Sequence, residues 1–205
     1  MRITKVTTKT GDDGKTSLGD GKRVKKNHVI IDTLGELDNL NAVIGWAEVS
    51  SSSKKYSKDL KSIQQDIFNI SGDISLPDGK SKLLKEERIF FLEDKIKVMS
   101  KNLPPLKEFI LPGGSEFNAR LHILRTTARN TERCLVAMQQ DEGKNSLHLK
   151  YLNRLSDYLF LLARAVGLSE NLEEEHWELN KLIIIIQKLI GQKLMKSLVQ
   201  KIKYY

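Results

Sequence analysis

The chain has 205 residues, with 34 lysines and arginines against 26 aspartates and glutamates, which gives a formal net charge of +8 at pH 7. A composition of 40% hydrophobic and 29% charged residues is typical of a globular domain and excludes a mainly disordered or collagen-like chain. The charge is unevenly placed, because residues 1–30 and residues 176–205 each carry +5 while the middle carries −2. The two basic ends therefore need separate explanations.

No segment of the sequence is typical of a membrane-spanning or exported protein. The apolar runs, of which residues 182–186 are an example, are far shorter than the roughly 18 to 20 residues that span a bilayer. The first residues lack the apolar stretch of a signal peptide, and the single cysteine, Cys134, has no partner for an internal disulfide. We therefore expect a cytoplasmic protein without a transmembrane segment.

The positions of the prolines and of the apolar residues predict the fold. All four prolines lie between residues 77 and 112, so long helices are permitted on either side. Apolar residues recur at helical spacing in four segments, with predicted bounds 33–49, 57–74, 84–100 and 146–167. A further helix is predicted at residues 116–140, which contain no glycine or proline. Strand signals are weak and confined to the first few residues and residues 29–31. We predict an all-α, up-down bundle of about five long helices with an extra C-terminal helical tail.

The turns between these segments supply start and stop signals. Ser115 follows the Gly113-Gly114 turn and is the predicted N-cap of the fourth helix. Asn145 or Ser146 is the predicted N-cap of the fifth helix, and Gly167 is expected to end it.

A Gly-rich loop, TKTGDDGKTSLGDG at residues 8–21, lies in the basic N-terminal part. It is not a P-loop, because only two residues separate Gly11 from Gly14 where that motif has four. Glycines do allow backbone N–H groups to converge on an anion, and the neighbouring threonines and lysines add donors for phosphate oxygens. A flexible polar terminus is the alternative interpretation.

The fourth predicted helix carries a row of three arginines. Arg125, Arg129 and Arg133 are spaced four residues apart and therefore share one helix face, with Glu132 the only acid nearby. Planar guanidinium groups in a row suit the many acceptor oxygens of a triphosphate, although a solvated helix face is the alternative.

Two other polar features lie beside apolar stripes. Asn153 is one helical turn from Asp157 and adjacent to Arg154 on the fifth helix, where polar groups need partners from other helices or a ligand. Asp38 lies near the apolar stripe of the first helix and is expected to pair with one of the arginines. The four histidines are scattered without ligand spacing, which argues against a protein-bound zinc ion.

The sequence contains five motifs, which in chain order are TKTGDDGKTSL, GELDNLN, FILPGG, RTTARNTER and YLNRLSDYLFLLAR. Lys26 stands nine residues before the second motif, GELDNLN. Taken in this order, the motifs resemble those of the PduO-type corrinoid adenosyltransferases (ATP:cob(I)alamin adenosyltransferases). The resemblance covers about residues 8–167 and implies a helical bundle, assembled as a homotrimer with active sites between subunits. It also implies transfer of the 5′-deoxyadenosyl group of ATP to the cobalt of reduced cobalamin, releasing triphosphate, with Mg²⁺ held mainly by the ATP phosphates.

The resemblance assigns roles to individual residues. It implies that the N-terminal half of the ATP site is formed by Thr8, Lys9, Thr10, Gly11, Thr16, Ser17 and Lys26. It implies that the other half is formed by Arg125, Arg129, Glu132, Arg133 and Asn153. Asp38 is implied to pair with Arg125 across the subunit interface, and Phe109 to displace the lower axial ligand of the corrinoid. Arg125, Arg129, Asp38 and Phe109 are therefore the expected catalytic residues.

The resemblance also sets the expected domains and partners. Residues 1–30 are expected to form a basic, Gly-rich nucleotide-binding loop, residues 31–177 the catalytic bundle, and residues 178–205 an amphipathic basic helical tail. The tail has no counterpart in the family pattern and is expected to pack on the trimer, dock a partner or lie on a membrane surface. A corrinoid reductase and an adenosylcobalamin-dependent acceptor enzyme are the expected partners.

Three positions depart from the family pattern, and one alternative function stays open. Asn39 stands where the family has glutamate, and Asn130 and Thr131 stand where it commonly has arginine and alanine. The changes reduce charge near the site, so a lower ATP affinity is expected. The alternative is a non-enzymatic helical protein that binds nucleic acid or an anionic membrane surface through its basic ends. The nucleic-acid form is disfavoured, because the body of the chain lacks a basic face interleaved with aromatic residues.

Overall fold

Five helices carry most of the chain. The structure is a computed structural model that describes residue 7 and residues 9–76, 82–106, 108–139 and 146–177. The helices are α1 (Val29–Glu48), α2 (Lys54–Ser75), α3 (Glu87–Asn102), α4 (Glu116–Met138) and α5 (Leu147–Ser169). A small antiparallel hairpin of β1 (Lys15–Ser17) and β2 (Arg23–Lys25) precedes them. The predicted all-α class with five long helices is thus confirmed, while the predicted helical tail lies outside the described residues.

The chain divides into two compact units. The first combines Met1–Pro104 with Pro112–Glu173 and contains all five helices. The second combines Pro105–Leu111 with the chain from Glu174 onward. The domain division expected from the sequence, at residues 30 and 177, stays a prediction.

The helices of the first unit share one apolar core. Helix α1 packs against α2 and α4, α4 packs against α5, and α5 packs against α3. The stripes predicted from the sequence supply buried side chains of four helices, which include Leu37, Leu40, Ile44, Leu60, Ile63, Ile67, Ile70, Leu92, Leu152, Leu155, Leu159 and Leu162. Helix α4 adds Leu121 and Leu124. Burial of these side chains is the main favourable contribution to folding.

Side-chain caps fix where α4 and α5 begin. The Ser115 hydroxyl accepts a hydrogen bond from the Asn118 N–H at 3.2 Å, and the Ser146 hydroxyl accepts one from the Leu149 N–H at 3.2 Å. Each cap satisfies one of the N–H groups that a helix start leaves without an intrahelical acceptor. The predicted cap at Ser115 is confirmed, and of the two candidates for α5 the structure uses Ser146.

Two local predictions were wrong. Residues 29–31 begin α1 rather than forming a strand, because His28 Nδ1 accepts the Ile30 N–H at 3.3 Å and caps the helix. Gly167 lies buried inside α5 rather than ending it. A Cβ atom at this position would lie 3.2 Å from Asn118 Nδ2 of α4, so the glycine serves the close approach of two helices.

Two helix starts also differ from the predicted bounds. Helix α2 begins at Lys54 instead of residue 57, so the two lysines after the serine run are helical. Helix α3 begins at Glu87 instead of residue 84. The preceding residue Leu84 is buried, and its N–H donates to Asp73 Oδ2 at 3.2 Å, which holds the backbone before the helix against α2.

A buried ionic cluster joins α2, α3 and α5. The Asp66 carboxylate accepts from Arg88 Nε at 2.8 Å and from the Tyr151 hydroxyl at 2.6 Å, and Arg88 Nη2 also donates to the Ser62 hydroxyl at 2.7 Å. Burial, followed by the charge of Asp66, raises the pKa of Tyr151 well above its usual value, so the phenol stays a donor. The cluster therefore fixes the positions of α2, α3 and α5 relative to one another.

The hairpin is fixed to the end of α2. Leu18 is buried, and the Gly19 N–H donates to the Ser75 carbonyl at 2.9 Å. A Cβ atom on Gly19 would lie 2.9 Å from the Ser75 hydroxyl and 3.1 Å from the Ser75 carbonyl oxygen. The hairpin is therefore held against the bundle at its turn and is not a free terminus.

Gly19→Ala is expected to lower the free energy of unfolding by about 1 to 2 kcal/mol, because the added methyl group overlaps Ser75. Gly113→Ala is the matched control, since a Cβ atom on Gly113 meets no atom within 4 Å. Urea unfolding followed by circular dichroism measures both variants. Equal stability of the two would contradict the close contact between the hairpin and α2.

None of the helices within the described ranges is long and apolar enough to cross a membrane.

Candidate functional site

Three arginines follow one another along one face of α4. Arg125 is half-buried, whereas Arg129 and Arg133 are exposed. Within the described part of the chain, neither Arg129 nor Arg133 makes a hydrogen bond or an ion pair. We call these three residues the arginine face. Their side-chain donors are available to a ligand that is rich in acceptor oxygens.

Arg125 lies in the least polar surroundings of the three. Its guanidinium group lies 5.9 Å from the centroid of the Phe160 ring of α5. Burial, and then the charge of Arg129, lowers the pKa of Arg125, and burial followed by the charge of Arg125 lowers the pKa of His122. His122 is consequently neutral near pH 7. The positive charge here comes from arginine, which stays protonated in proteins.

Glu132 and Asn153 meet across the contact between α4 and α5. The Asn153 amide donates from Nδ2 to Glu132 Oε1 at 3.2 Å, and its Oδ1 accepts from Arg154 Nη1 at 2.7 Å. The structure therefore brings together two residues that the resemblance placed in the same half of the ATP site. The sequence had grouped Asn153 with Asp157 as well, but Asp157 is exposed and lies outside this contact.

The hairpin residues assigned to the N-terminal half also lie close together. Asp13 forms an ion pair with Arg23 at 2.9 Å, and Arg23 Nη2 donates to the Thr10 carbonyl at 2.8 Å. The Lys15 N–H and the Arg23 guanidinium hold the pKa of Asp13 below its usual value. The Asp13 carboxylate is thus bound to Arg23 and to the Lys15 backbone.

Backbone conformation and one lysine shape the concave side of this loop. Lys9 and Gly14 have φ angles of 59° and 77°, the left-handed conformation that turns successive N–H groups toward one side. The Lys26 ammonium lies over Gly11, 3.3 Å from where a Cβ atom of Gly11 would stand. Glycine at this position thus leaves space beside a cation. Thr16 is half-buried and Ser17 exposed on β1, while Thr8 lies outside the described residues.

The hairpin and the last turn of the arginine face lie at the same end of the bundle. The hairpin is bound to the last residues of α2, and Asp73 in the same turn of α2 pairs with His148 of α5 at 3.0 Å. The first turn of α1, which follows β2, reaches the end of α4 through a hydrogen bond from Thr33 Oγ1 to the Cys134 carbonyl at 3.4 Å.

Asp38 pairs with no arginine in the part of the chain that the structure describes. It is exposed on α1, and the described residues offer it no hydrogen bond or ion pair. Gly35 and Ala42, one turn away on either side, are exposed as well, so the carboxylate lies on a face of small side chains. This face is accessible to a second subunit.

The three departures from the family pattern lie on or beside the contact between α1 and α4. Asn130 Nδ2 donates to Glu36 Oε2 at 2.9 Å, and the buried Thr131 hydroxyl donates to the Thr127 carbonyl at 3.0 Å. Asn39 is exposed. Asn130 and Thr131 thus contribute to helix packing, and their expected effect on ATP affinity stays a prediction.

Phe109 belongs to the second compact unit, where it is fixed by a short backbone pairing. The Trp177 N–H donates to the Phe109 carbonyl at 2.7 Å, and the Leu111 N–H donates to the Glu175 carbonyl at 2.8 Å. The rings of Phe109 and Trp177 lie 6.1 Å apart at 58°. The Phe109 ring is nevertheless 57% exposed, so one face of it is accessible.

No three histidine, cysteine, aspartate or glutamate side chains converge on a possible metal position in the part of the chain that the structure describes.

Comparison with known proteins identifies the family. The sequence model described as "Cobalamin adenosyltransferase" matches residues 6–166. The chain belongs to this family. A cobalamin adenosyltransferase from Cupriavidus metallidurans is 41% identical over 86% of this chain and 96% of its own length. A corrinoid adenosyltransferase from Bacillus subtilis is 38% identical over 87% of this chain and 95% of its own length.

Solved structures of this adenosyltransferase family share the fold. A variant PduO-type ATP:corrinoid adenosyltransferase from Lactobacillus reuteri, complexed with cobalamin and ATP, has a TM-score of 0.80 at 32% identity and covers 85% of this chain and 99% of its own. Another variant of that enzyme, with an arginine changed to lysine and complexed with ATP, has a TM-score of 0.79 at 34% identity. It covers 84% of this chain and 100% of its own.

Two side chains that contact the arginine face or its polar neighbours in this adenosyltransferase chain were missed in the sequence. Phe160 lies in a leucine-rich helix, where an aromatic residue is ordinarily interpreted as part of the hydrophobic core. Glu93 of α3 accepts from Arg154 Nε at 3.0 Å but is one of many acids on a solvated helix. The adjacency of Asn153 and Arg154 was the one available signal, since it marked a polar pair on an apolar helix.

Proposed function

We propose that this chain transfers the 5′-deoxyadenosyl group of ATP to the cobalt of cob(I)alamin, giving adenosylcobalamin and triphosphate. The observation that carries the proposal is the arginine face, in which two exposed guanidinium groups lack any carboxylate partner among the described residues. A row of unpaired cations is unfavourable by itself and becomes favourable when a polyanion binds. Because a solved relative is complexed with cobalamin and ATP, we propose that this polyanion is the triphosphate of ATP.

The proposed ATP site has two halves. Lys9, Thr10, Gly11, Thr16, Ser17 and Lys26 of the hairpin form one half, together with Thr8. Arg125, Arg129, Glu132, Arg133 and Asn153 form the other. Because the resemblance implies active sites between neighbouring subunits, we propose that each site combines the hairpin of one subunit with the arginine face of its neighbour.

The chemistry that these residues perform is positioning and charge stabilisation. Cob(I)alamin, a substrate, brings a strongly nucleophilic cobalt that attacks the C5′ carbon of ATP, and the C5′–O bond breaks to release triphosphate. The protein must hold the two reactants in line and stabilise the negative charge that develops on the leaving oxygen. Arginines, lysines and backbone N–H groups are suited to both tasks, and no general base is needed.

The proposed assembly is a homotrimer. Among the described residues, Asp38 lies without a partner on an exposed face of small residues, and Arg125 is half-buried without a carboxylate. An ion pair between Asp38 of one subunit and Arg125 of the next would give both groups a partner and fix the register of the interface. Phe109, with its exposed ring supported by Trp177, is proposed to displace the lower axial ligand of the corrinoid.

The remaining parts of the proposal concern cofactor, partners and location. Mg²⁺ is proposed to be carried by the ATP phosphates, whose oxygens are the ligands that this ion prefers. A corrinoid reductase would supply cob(I)alamin, and an adenosylcobalamin-dependent enzyme would receive the product. We place these reactions in the cytoplasm. No contact in the described structure favours the alternative of a non-enzymatic nucleic-acid or membrane-binding protein.

An anaerobic assay tests the proposed function. With chemically reduced cobalamin, ATP and Mg²⁺, the protein is expected to form adenosylcobalamin, measured by its absorption spectrum, together with one triphosphate per product. Release of phosphate instead of triphosphate would indicate an ordinary ATPase. Absence of adenosylcobalamin from a sample with the expected helix content would overturn the proposal.

A further inference from the structure

A chain of four polar side chains runs from α3 through α5 to α4. Glu93 Oε1 accepts from Arg154 Nε at 3.0 Å, Arg154 Nη1 donates to Asn153 Oδ1 at 2.7 Å, and Asn153 Nδ2 donates to Glu132 Oε1 at 3.2 Å. We call Glu93, Arg154, Asn153 and Glu132 the polar chain. It begins outside the proposed ATP site and ends beside the arginine face.

The chemistry of the two neighbours determines how the Asn153 amide is turned. A guanidinium group can only donate, so the atom facing Arg154 must be the amide oxygen. A carboxylate can only accept, so the atom facing Glu132 must be the amide nitrogen. Replacing Arg154 by a side chain without donors removes the first constraint, and the amide is then held only by its 3.2 Å bond to Glu132.

The end of the polar chain affects the charge of the arginine face. Glu132 lies three residues after Arg129 on α4, a spacing at which a carboxylate and a guanidinium readily pair. No such pair forms within the described residues, and the Glu132 carboxylate is bound to Asn153 instead. The bond to Asn153 therefore keeps Glu132 from neutralising a cation that the triphosphate needs.

We propose that Arg154, held by Glu93, is a positioning residue for ATP: it orients Asn153, which in turn holds Glu132 away from Arg129. This inference rests on the proposed function, since it deepens the account of the same ATP site. Neither Arg154 nor Glu93 touches the arginine face. Their effect on ATP passes through the Asn153 amide.

The exposure of the first pair makes this role separable from folding. The side chains of Arg154 and Glu93 are 39% and 44% exposed. Ion pairs with this much solvent contact contribute little to the free energy of unfolding. Loss of the pair is therefore expected to change ATP binding more than the stability of the bundle.

Arg154→Met tests the inference, because methionine keeps much of the length of the arginine side chain but has no hydrogen-bond donor. It is expected to raise the KM for ATP about fivefold, the equilibrium effect of one lost hydrogen bond, with kcat changed less than twofold and Tm nearly unchanged. Lys150→Met is the matched control: Lys150 is exposed one turn earlier on α5, without a side-chain partner. A KM for Arg154→Met equal to that of the control would overturn the inference.

A double variant separates positioning from an independent effect. If Arg154 acts through Asn153, adding Arg154→Met to Asn153→Ala leaves the KM of the single Asn153→Ala variant unchanged. If the increases in KM of the two single variants multiply in the double variant, the proposal is contradicted. Glu93→Gln, which keeps an acceptor oxygen, is expected to raise the KM less than Arg154→Met does.

Calorimetric titration with ATP distinguishes failure of this inference from failure of the proposed function. If the wild-type protein binds ATP but forms no adenosylcobalamin, the proposed reaction is wrong, and the fivefold weakening by Arg154→Met is still expected in the binding constant. If transfer is normal and Arg154→Met binds ATP as tightly as wild type, the positioning role is wrong and the proposed function stands.

Discussion

Arg129→Ala is expected to lower kcat/KM for ATP by about 10- to 150-fold while leaving the helix content intact. The reason is that Arg129 is the exposed central member of the arginine face, with no partner in the described chain whose loss would disturb folding. A charge-assisted hydrogen bond to a phosphate contributes about 1.5 to 3 kcal/mol, which corresponds to this range of rates. The measurement is the initial rate of adenosylcobalamin formation at varied ATP concentration.

Two further variants determine why the rate falls. Arg129→Lys keeps the charge but loses the planar fork, so an activity between those of wild type and Arg129→Ala indicates bidentate binding of the phosphate. Lys97→Ala removes an exposed cation of α3 that has no partner within the described ranges, and we expect it to leave the rate within twofold. Should Arg129→Ala also stay within twofold of wild type, the arginine face does not bind the triphosphate.

Asp66→Ala is expected to lower the free energy of unfolding by about 3 to 5 kcal/mol. The Asp66 carboxylate is buried and accepts hydrogen bonds from Arg88 and from Tyr151, so its removal leaves the guanidinium without a counter-charge and the phenol without its acceptor. Breaking one side of a buried ion pair carries a cost of this size, because the remaining charge stays desolvated. Urea unfolding at fixed protein concentration measures the change.

The control for this variant is Asp94→Ala, which removes an exposed carboxylate of α3. A surface substitution of this kind is expected to change the free energy of unfolding by less than about 0.5 kcal/mol. Tyr151→Phe is expected to lie between the two, since it removes one neutral donor and leaves the ion pair of Asp66 with Arg88. A loss below about 1 kcal/mol for Asp66→Ala would show that the cluster is solvated rather than buried.

Local periodicity predicted the parts of the fold that depend on neighbours in sequence. The four-residue spacing of Arg125, Arg129 and Arg133 placed them on one helix face, and a serine after a glycine pair predicted the cap of α4. Such features are decided within one or two turns of helix, where propensity and capping act. The same reasoning misjudged Gly167, because the residue that requires a glycine there, Asn118, belongs to another helix.

Contacts between distant segments could not be predicted in this way. Asp66 meets Arg88 and Tyr151, which lie 22 and 85 residues further along the chain. Nothing in the sequence distinguishes that aspartate from the other acids of α2. The hydrogen bond between Asn153 and Glu132 could likewise not be predicted from the sequence. The family resemblance implied which residues form the site, but not which of them contact one another.

The ring contact between Phe109 and Trp177 supplies a built-in optical probe. The chain has two tryptophans, and the other one, Trp46, lies on α1 with the Arg120 guanidinium 4.4 Å above its ring. A Trp46→Phe protein therefore emits from Trp177 alone, beside the aromatic residue proposed to face the corrinoid. Corrinoids absorb near ultraviolet light strongly, so arrival of the substrate can be followed by the quenching of one indole without any added label.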